Sequence, residues 1–258
     1  MAYEQTLPPT IADLEPSTPR PDRAPWGYAD IAMAIAVVIG GIIAIGLPAA
    51  GLAAAIAGGF GEVEDDPNAM AVLDVANLGA SLVLALAVFL FTVNKYKVSW
   101  GVLGLRKPER GGFWFPLIVF FAALIVFYTY AIIITELGFE AEGNVDDAVR
   151  DSALRLVLTG ILAVAVAPFV EELFFRGFIF GGLRGRLGVA GAAVGSGLLF
   201  GIVHFQDTSS LAIIPGVSLI GIIFAAAYYY SGSLLPPFIA HFLWNVTAFV
   251  FTISGVAD

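Results

Sequence analysis

Residues 31–39 read Ile-Ala-Met-Ala-Ile-Ala-Val-Val-Ile, and this run is apolar on every side. A membrane-spanning strand would instead alternate apolar and polar residues with a period of two. The apolar stretch around the run covers roughly 29–57, which exceeds the ~20 residues that a helix needs to cross a bilayer. The run therefore predicts a membrane-spanning α-helix and excludes a β-barrel.

Six further apolar stretches follow the first. The chain has 258 residues, of which 59% are hydrophobic and only 13% are charged, and its mean hydropathy is +0.90. These values lie outside the range of ordinary soluble domains. The candidate spans are roughly 29–57, 69–93, 113–135, 153–180, 189–205, 211–230 and 235–253. We expect an all-α fold, a polytopic membrane helix bundle with about seven transmembrane helices.

Charged residues are segregated along the chain. Acidic residues cluster in 62–66 and 136–151, and basic residues cluster in 95–110 and 176–186. Since basic loops stay on the cytoplasmic side, this pattern predicts a multi-pass protein of the cell membrane with a cytoplasmic N-terminus. The net charge of −9 and the lack of a clustered basic surface exclude nucleic acid as a partner.

Two segments outside the spans have their own composition. Residues 1–27 combine many prolines with polar residues and predict a disordered cytoplasmic tail, which leaves 28–258 as the transmembrane helical domain. The linker 94–112 is basic and amphipathic, so we expect a helix lying against the anionic inner leaflet. The chain contains no cysteine, which excludes disulfides, thiolate metal sites and a cysteine nucleophile.

The fifth apolar stretch contains two pairs of glycines with small-xxx-small spacing, Gly191 with Gly195 and Gly197 with Gly201. Such pairs let another helix approach closely. We expect them to serve helix packing and to hold the fifth span against the fourth.

Ionisable side chains occur inside three late apolar stretches, where each costs several kcal/mol without a partner or a task. The first stretch, 167–176, reads Ala-Pro-Phe-Val-Glu-Glu-Leu-Phe-Phe-Arg. Glu172 and Arg176 are i,i+4 neighbours and can pair, whereas Glu171 points about 100° away and is available as a general base. Pro168 frees a backbone carbonyl one turn earlier. The alternative is a Glu-Arg pair that serves helix packing alone.

The other two stretches each place two side chains one helical turn apart, Phe200 with His204 and His241 with Asn245. A histidine and an amide on one face can both donate hydrogen bonds to a developing oxyanion. The alternative for His204 is a packing role, the commoner one for a lone histidine in an apolar helix. If the three stretches pack together, two carboxylates, two imidazoles, a guanidinium and an amide surround one point, and that set suits hydrolysis.

Residue counts predict the depth of each side chain in the membrane. If the chain reverses at about 185–188, Glu171 lies 14 residues before the turn and His204 lies 16 residues after it. These counts correspond to roughly 21 and 24 Å, so antiparallel packing brings the two to nearly the same level. His241 lies only about 10 Å from the start of its own span, a mismatch of one to two turns. Either 231–237 dips into a protein-lined cavity or the span begins elsewhere.

The ordered set Glu171-Glu172-x-x-x-Arg176, Phe200-x-x-x-His204 and His241-x-x-x-Asn245 resembles the CPBP family of intramembrane proteases. That family includes CAAX prenyl endopeptidases of the Rce1 type and bacterial Abi proteins. The resemblance covers about residues 150–250, which it identifies as the catalytic core.

The resemblance implies a role for each of these residues. Glu171 would act with His204 to activate a water molecule for attack on a peptide carbonyl. His241 and Asn245 would stabilise the tetrahedral oxyanion. The residues that would organise the site are Glu172 and Arg176.

The resemblance allows two mechanisms. The family is also described as metalloproteases, and Glu171, His204 and His241 would make a plausible zinc set. A metal-free glutamate mechanism is favoured, because Asn245 beside His241 fits an oxyanion pair better than it fits the neighbour of a metal ligand. We therefore expect no cofactor, with zinc as the alternative. The expected partners are the lipid bilayer and a membrane-embedded or membrane-associated peptide substrate.

Two functions without proteolysis also fit the polar residues. A non-catalytic membrane scaffold or regulator of a partner membrane protein would use them for packing alone. A proton-coupled transporter would use Glu171 and His204 as a relay, but no inverted repeat is visible between the two halves of the sequence. An intramembrane endopeptidase is therefore the favoured function, and a scaffold is its main alternative.

Overall fold

The computed structural model describes residues 24–139, 152–205 and 209–254. These residues contain no β-strand. Their α-helices are α1 (Tyr28–Ala57), α2 (Pro67–Phe89), α3 (Phe115–Glu136), α4 (Ala153–Gly160), α5 (Ala167–Glu172), α6 (Gly181–Ile202), α7 (Ile214–Ser231) and α8 (Leu235–Ser254). The π-helical stretches are Leu90–Asn94 after α2, Ile161–Val166 between α4 and α5, and Leu173–Phe180 between α5 and α6.

Five helical runs in the described part of the chain are long and apolar enough to cross a membrane. They are Tyr28–Ala57, Pro67–Asn94, Phe115–Glu136, Ala153–Ile202 and Ile214–Ser231. The apolar part of α8 is shorter than these. The prediction of an all-α membrane helix bundle is confirmed, whereas the count of about seven spans stays a prediction.

The run Ala153–Ile202 reverses direction at Gly188, whose φ of 68° and ψ of −179° are not helical. This backbone conformation favours glycine, which has no Cβ atom. Beyond the turn, Ser196 Oγ donates a hydrogen bond of 2.8 Å to the carbonyl of Phe175, and the rings of Phe175 and Phe200 lie 5.2 Å apart. The fourth and fifth predicted spans therefore form an antiparallel hairpin that turns where the sequence predicts.

Helices α6 and α7 approach each other through glycines. A Cβ atom on Gly197 would lie 2.9 Å from the backbone nitrogen of Ile222, and one on Gly221 would lie 2.8 Å from the Cα of Gly197. A Cβ atom on Gly201 would lie 2.7 Å from the carbonyl oxygen of Ile214. Side chains at these positions would push the helices apart, so the pair Gly197 and Gly201 packs α6 against α7.

The other predicted pair has a different neighbour. Gly191 and Gly195 face Leu187 and Leu183, which belong to the preceding arm of the same hairpin. Of the two pairs, only this one holds the fifth span against the fourth. The sequence expectation that both pairs hold the fifth span against the fourth is therefore wrong for Gly197 and Gly201, because these two glycines contact α7.

One end of the bundle, which we call the basic end, is rich in cations. The guanidinium of Arg186 lies 5.0 Å from the centre of the Tyr28 ring. Lys95 Nζ lies 2.6 Å from Asp30 Oδ1, and this hydrogen bond raises the pKa of Lys95 above its ordinary value. The contacts bring together the start of α1, the end of α2 and the turn at Gly188. The positive-inside pattern predicts that the basic end faces the cytoplasm.

The linker between α2 and α3 crosses the basic end without forming the predicted helix over 94–112. It contains one short 3₁₀ turn, Trp100–Leu103, whose Leu103 is completely buried. The backbone at Gly104, Gly111 and Gly112 has positive φ, which interrupts a right-handed helix. The expectation of a surface helix is therefore wrong, and the linker is fixed to the bundle by a buried leucine instead.

The folded part of the chain begins before residue 28. Trp26 is 1% exposed, and its indole N–H donates a hydrogen bond of 2.8 Å to the carbonyl of Phe178. A side chain that the sequence assigns to the tail is thus part of the core. Residues 1–23 of the predicted tail lie outside the described residues.

Candidate active site

The site is built around an ion pair between Glu172 and Arg176, both of which are completely buried. Arg176 Nη1 donates a hydrogen bond of 2.8 Å to Glu172 Oε1, which confirms the predicted i,i+4 pair. Arg176 Nη2 donates to the carbonyl of Gly221 on α7 at 3.2 Å. Its guanidinium also lies 4.4 Å from the centre of the Phe200 ring on α6. The Arg176 side chain thus connects the first arm of the hairpin to α6 and α7.

His241 of α8 joins this ion pair. Its Nδ1 lies 2.9 Å from Glu172 Oε1, and its Nε2 lies 3.8 Å from Glu171 Oε2. Because an ionised carboxylate can only accept, Nδ1–H donates to Glu172 and Nε2 faces Glu171. The ring is 4% exposed and packs against Phe200 and Phe224 at centroid distances of 5.6 and 5.3 Å. His241 therefore lies at the same depth as both acids.

The depth of His241 follows from the connection between α7 and α8, residues 231–235, which we call the corner. Ser231 is completely buried. The N–H of Leu234 donates to the carbonyl of Gly104 at 2.9 Å, and the N–H of Glu109 donates to the carbonyl of Ser231 at 2.8 Å. The linker thus covers the corner, and Leu234, directly before α8, is buried. This is the protein-lined dip that the sequence offered as one explanation of the depth mismatch.

His204 lies just beyond the end of α6. Its Nδ1 is 2.7 Å from the carbonyl oxygen of Phe200, and the two rings have centroids 4.7 Å apart. Since a carbonyl can only accept, Nδ1 bears the hydrogen and the lone pair of the neutral ring is on Nε2. Nε2 is therefore the atom that can accept a proton or bind a metal ion.

Asn245 bonds to a backbone carbonyl that lacks a helical donor. At the end of the π-helical stretch Ile161–Val166, the N–H of Ala167 donates to the carbonyl of Leu162, five residues earlier. The next donor in this register would be residue 168, but Pro168 has no N–H, so the carbonyl of Ala163 is left free. Asn245 Nδ2 donates to that carbonyl at 2.7 Å. The predicted freed carbonyl is confirmed, and it uses one of the two amide hydrogens of Asn245.

Four of the six predicted residues line one cavity of about 260 Å³, namely Glu171, His204, His241 and Asn245. The side chain of Glu171 is 23% exposed. Glu172 and Arg176 do not line the cavity and connect to it through His241. The rest of the wall consists of Thr159, Ala163, Phe200, Val217, Ile220, Trp244, Ala248 and Phe249. The structure therefore brings all six residues together, four at the cavity and two in a buried supporting pair.

Thr159 is a cavity residue that the sequence analysis did not identify. Its Oγ1 is buried and has no hydrogen-bond partner among the described residues. Hydroxyls in other helices of the chain bond to a carbonyl one turn earlier, as Thr247 does to Leu243 at 2.8 Å. The sequence could have indicated this residue, because Thr159 is a polar side chain in the same apolar stretch as Glu171, 12 residues before it.

The donors of the cavity suit a zinc ion chemically. Zinc takes histidine nitrogens and carboxylate oxygens as ligands, and ligating histidines usually donate their other N–H to a carboxylate or a backbone carbonyl. His241 and His204 make bonds of these two kinds through Nδ1. Within the described ranges, no group of three His, Cys, Asp or Glu side chains lies close enough together to hold a metal ion.

Comparison with known families gives a match over the same part of the chain. Residues 153–247 match the model of the family described as Type II CAAX prenyl endopeptidase Rce1-like. This segment is therefore similar to that family. It begins with the first residue of α4 and ends two residues after Asn245, so it contains all six site residues. The resemblance stated from the sequence is confirmed for this segment.

Two curated relatives align with this chain. A protein of Mycoplasma capricolum subsp. capricolum, named "Uncharacterized protein", is 27% identical over 219 residues, which are 80% of this chain and 64% of the relative. A protein of Bacillus subtilis (strain 168), named "Putative membrane peptidase YdiL", is 28% identical over 137 residues, which are 53% of this chain and 52% of the relative. The chain thus spans less than two thirds of the length of either relative. No solved structure matches it.

Proposed function

We propose that the protein is an intramembrane endopeptidase that hydrolyses a peptide bond of a membrane-associated substrate. The observation that supports this best is the shared cavity, where a carboxylate, two imidazoles and an amide meet inside an apolar bundle. Buried ionisable groups inside a membrane are costly and mark functional sites. A cavity of about 260 Å³ has room for several water molecules, so it can hold the water that hydrolysis consumes.

Water activation is the task of Glu171 and His204. The Glu171 carboxylate is partly exposed to the cavity and accepts a proton from the attacking water as general base. His204, with its hydrogen on Nδ1, accepts a hydrogen bond at Nε2 from the O–H that the water keeps, and so orients the molecule. The hydroxide oxygen then bonds to the carbonyl carbon of the substrate, and the carbonyl π electrons move onto its oxygen.

Oxyanion stabilisation is the task of His241 and Asn245. Asn245 has one amide hydrogen left after its bond to Ala163, and it can donate this hydrogen to the oxyanion. His241 donates through Nε2 when both ring nitrogens are protonated. When the intermediate collapses, the C–N bond breaks and protonated Glu171 returns its proton to the leaving amine. Glu172 and Arg176 act on this step only by holding His241.

Zinc is the alternative to the metal-free mechanism. Glu171, His204 and His241 would hold the ion only after moving closer together than the structure has them. A bound ion would polarise the substrate carbonyl and acidify a bound water. Cleavage that is lost on dialysis against a chelator and restored by zinc supports this alternative. Cleavage that withstands the same dialysis supports the metal-free mechanism that we favour.

The deciding experiment compares membrane peptide products in cells with the intact protein and cells with Glu171→Gln or His204→Ala. We expect both variants to insert normally and to lose the cleavage products. Glu64→Gln is the matched control, because it removes an exposed acid of the α1–α2 loop far along the sequence from the cavity. Undiminished cleavage in Glu171→Gln or His204→Ala would contradict the proposal.

A non-catalytic scaffold is the second candidate. The observation in its favour is the buried network of Glu172, Arg176 and His241, which connects helices and has a structural effect whether or not chemistry occurs. A scaffold would keep its partner after Glu171→Gln, and no cleaved product would depend on the intact protein. Loss of products with partner binding unchanged would exclude this alternative.

A further inference from the structure

The basic end contains a groove that the proposed peptidase site does not use. It has a volume of about 730 Å³, and we call it the linker groove. The residues that define it are Arg110, Phe113, Pro116, Leu117, Leu235 and Ile239. Its walls thus come from the linker, the start of α3 and the start of α8. A smaller pocket of about 320 Å³ shares Leu235 with the groove and includes Lys107.

The rim of the linker groove has unpaired positive charge. Glu109, the acid of this rim, lies 3.1 Å from Arg106 and so compensates that cation. Lys107 and Arg110 are both exposed, and no acidic side chain in the described ranges forms an ion pair with either. Arg110, which lines the groove, and Lys107, which lines the neighbouring pocket, are therefore available to an anion.

Exposed aromatic residues set the depth of the rim. Phe113 is 84% exposed and Trp114 is 66% exposed, directly after the cationic part of the linker. Aromatic side chains at such positions sit at the headgroup level of a membrane. Leu117 lies two residues past the start of α3 and Ile239 four residues past the start of α8, or roughly 3 and 6 Å along these helices. The groove thus has cations at headgroup depth and apolar walls at acyl-chain depth.

We propose that the linker groove binds one anionic phospholipid, with its phosphate on Lys107 and Arg110 and an acyl chain along the apolar wall. Charge and polarity both match, because basic pockets next to membrane helices recognise anionic headgroups. Inorganic phosphate would satisfy the cations alone and would leave the walls of Leu117, Leu235 and Ile239 uncovered.

A lipid in this groove would contact the first turn of the helix that bears His241 and Asn245. Leu235 is the first residue of α8, and Ile239 comes two residues before His241. The corner beside it is fixed to the linker, since Arg106 Nε donates to the carbonyl of Gly232 at 2.7 Å. The bound lipid therefore braces α8 against the linker and stabilises the placement of His241.

The test uses the full chain purified in detergent and titrated with phosphatidylglycerol or phosphatidylcholine of the same acyl composition. Native mass spectrometry measures retained lipid, and the melting temperature measures stabilisation. We expect about one tightly held phosphatidylglycerol, a higher melting temperature with it than with phosphatidylcholine, and no such effect of inorganic phosphate.

Single-charge variants locate the binding site. Arg110→Gln should weaken phosphatidylglycerol binding roughly fivefold, the effect of about one surface cation, and Arg110→Lys should restore most of it. Lys97→Gln is the matched control, because it removes an exposed linker cation that does not line the groove. Equal retention of both lipids, or equal losses in Lys97→Gln and Arg110→Gln, would overturn the proposal. Lipid binding needs no substrate, so this result is independent of the peptidase test.

Discussion

At the scale of single residues, Glu172 Oε1 accepts hydrogen bonds from both Arg176 and His241, at 2.8 and 2.9 Å. Its neighbour Glu171 has one longer contact, 3.8 Å to His241, and is 23% exposed. Two adjacent glutamates of identical chemistry therefore have different surroundings. Glu172 bonds to Arg176 and His241 within the protein, and Glu171 lines the cavity.

This difference predicts unequal losses of stability from two matched substitutions. Glu172→Gln leaves the Arg176 charge buried without its counterion, which typically costs about 3–5 kcal/mol of unfolding free energy. Glu171→Gln removes a partly exposed charge and should cost about 1 kcal/mol or less, while it abolishes cleavage. Denaturant unfolding of both variants in the same detergent measures the difference. Equal losses of stability would contradict the division of roles.

Asn245 and Pro168 form a second pair that can be tested. Asn245→Leu leaves the Ala163 carbonyl without a donor and should cost about 1–3 kcal/mol. In Pro168→Ala the backbone N–H of residue 168 can supply that donor, so the same Asn245→Leu change should then cost less. A double-mutant cycle of unfolding free energies measures this coupling. Additive costs would show that the two residues do not serve the same carbonyl.

The sequence predicted part of this network. The spacing of Glu172 and Arg176 was sufficient for their pair, and Pro168 was sufficient for a freed carbonyl. The bond from His241 to Glu172 was not predictable, because adjacent glutamates differ only in the angle at which they leave a helix. That angle depends on how the π-helical stretches on both sides turn the acids, and no composition signal marks those stretches apart from the proline.

At the scale of secondary-structure elements, the contact between α6 and α7 depends on missing side chains. Gly197→Ala would place a Cβ atom 2.6 Å from Ile222 Cγ1 and 2.9 Å from its backbone nitrogen. Such overpacking typically costs about 1–3 kcal/mol. Gly40→Ala in α1 is the control, since a Cβ atom there meets nothing within 4 Å, and it should stabilise the helix by about 0.5–1 kcal/mol. Melting temperatures of the two variants should move in opposite directions.

The sequence predicted the helices better than the segments between them. Apolar runs fixed the positions of α1 to α3, and the reversal near Gly188 was expected. The linker was wrongly expected to be a helix, because its amphipathic pattern outweighed its glycines in the prediction. The sequence also left the depth of His241 open, because only the folded linker shows that the corner at Ser231 is covered.

At the scale of the whole molecule, cations collect at the basic end and the acidic loop 62–66 lies between α1 and α2 at the opposite end. The absence of cysteine from the sequence makes this polarity testable with single cysteines. We expect Lys97→Cys to react with a membrane-impermeant thiol reagent only from the cytoplasmic side, and Glu64→Cys only from the outside. The reverse labelling would show that the positive-inside pattern gives the wrong orientation.

The reversal at Gly188 also sets an order of events during synthesis. Chains leave the ribosome from the N-terminus onward, so the hairpin emerges with both acids and His204 as one local unit. His241 emerges later on α8, and only then does Glu172 gain its second donor. In a nascent chain stalled before residue 235, Glu172 can therefore pair with Arg176 but not with His241. The second hydrogen bond to Glu172 forms only when α8 packs into the bundle.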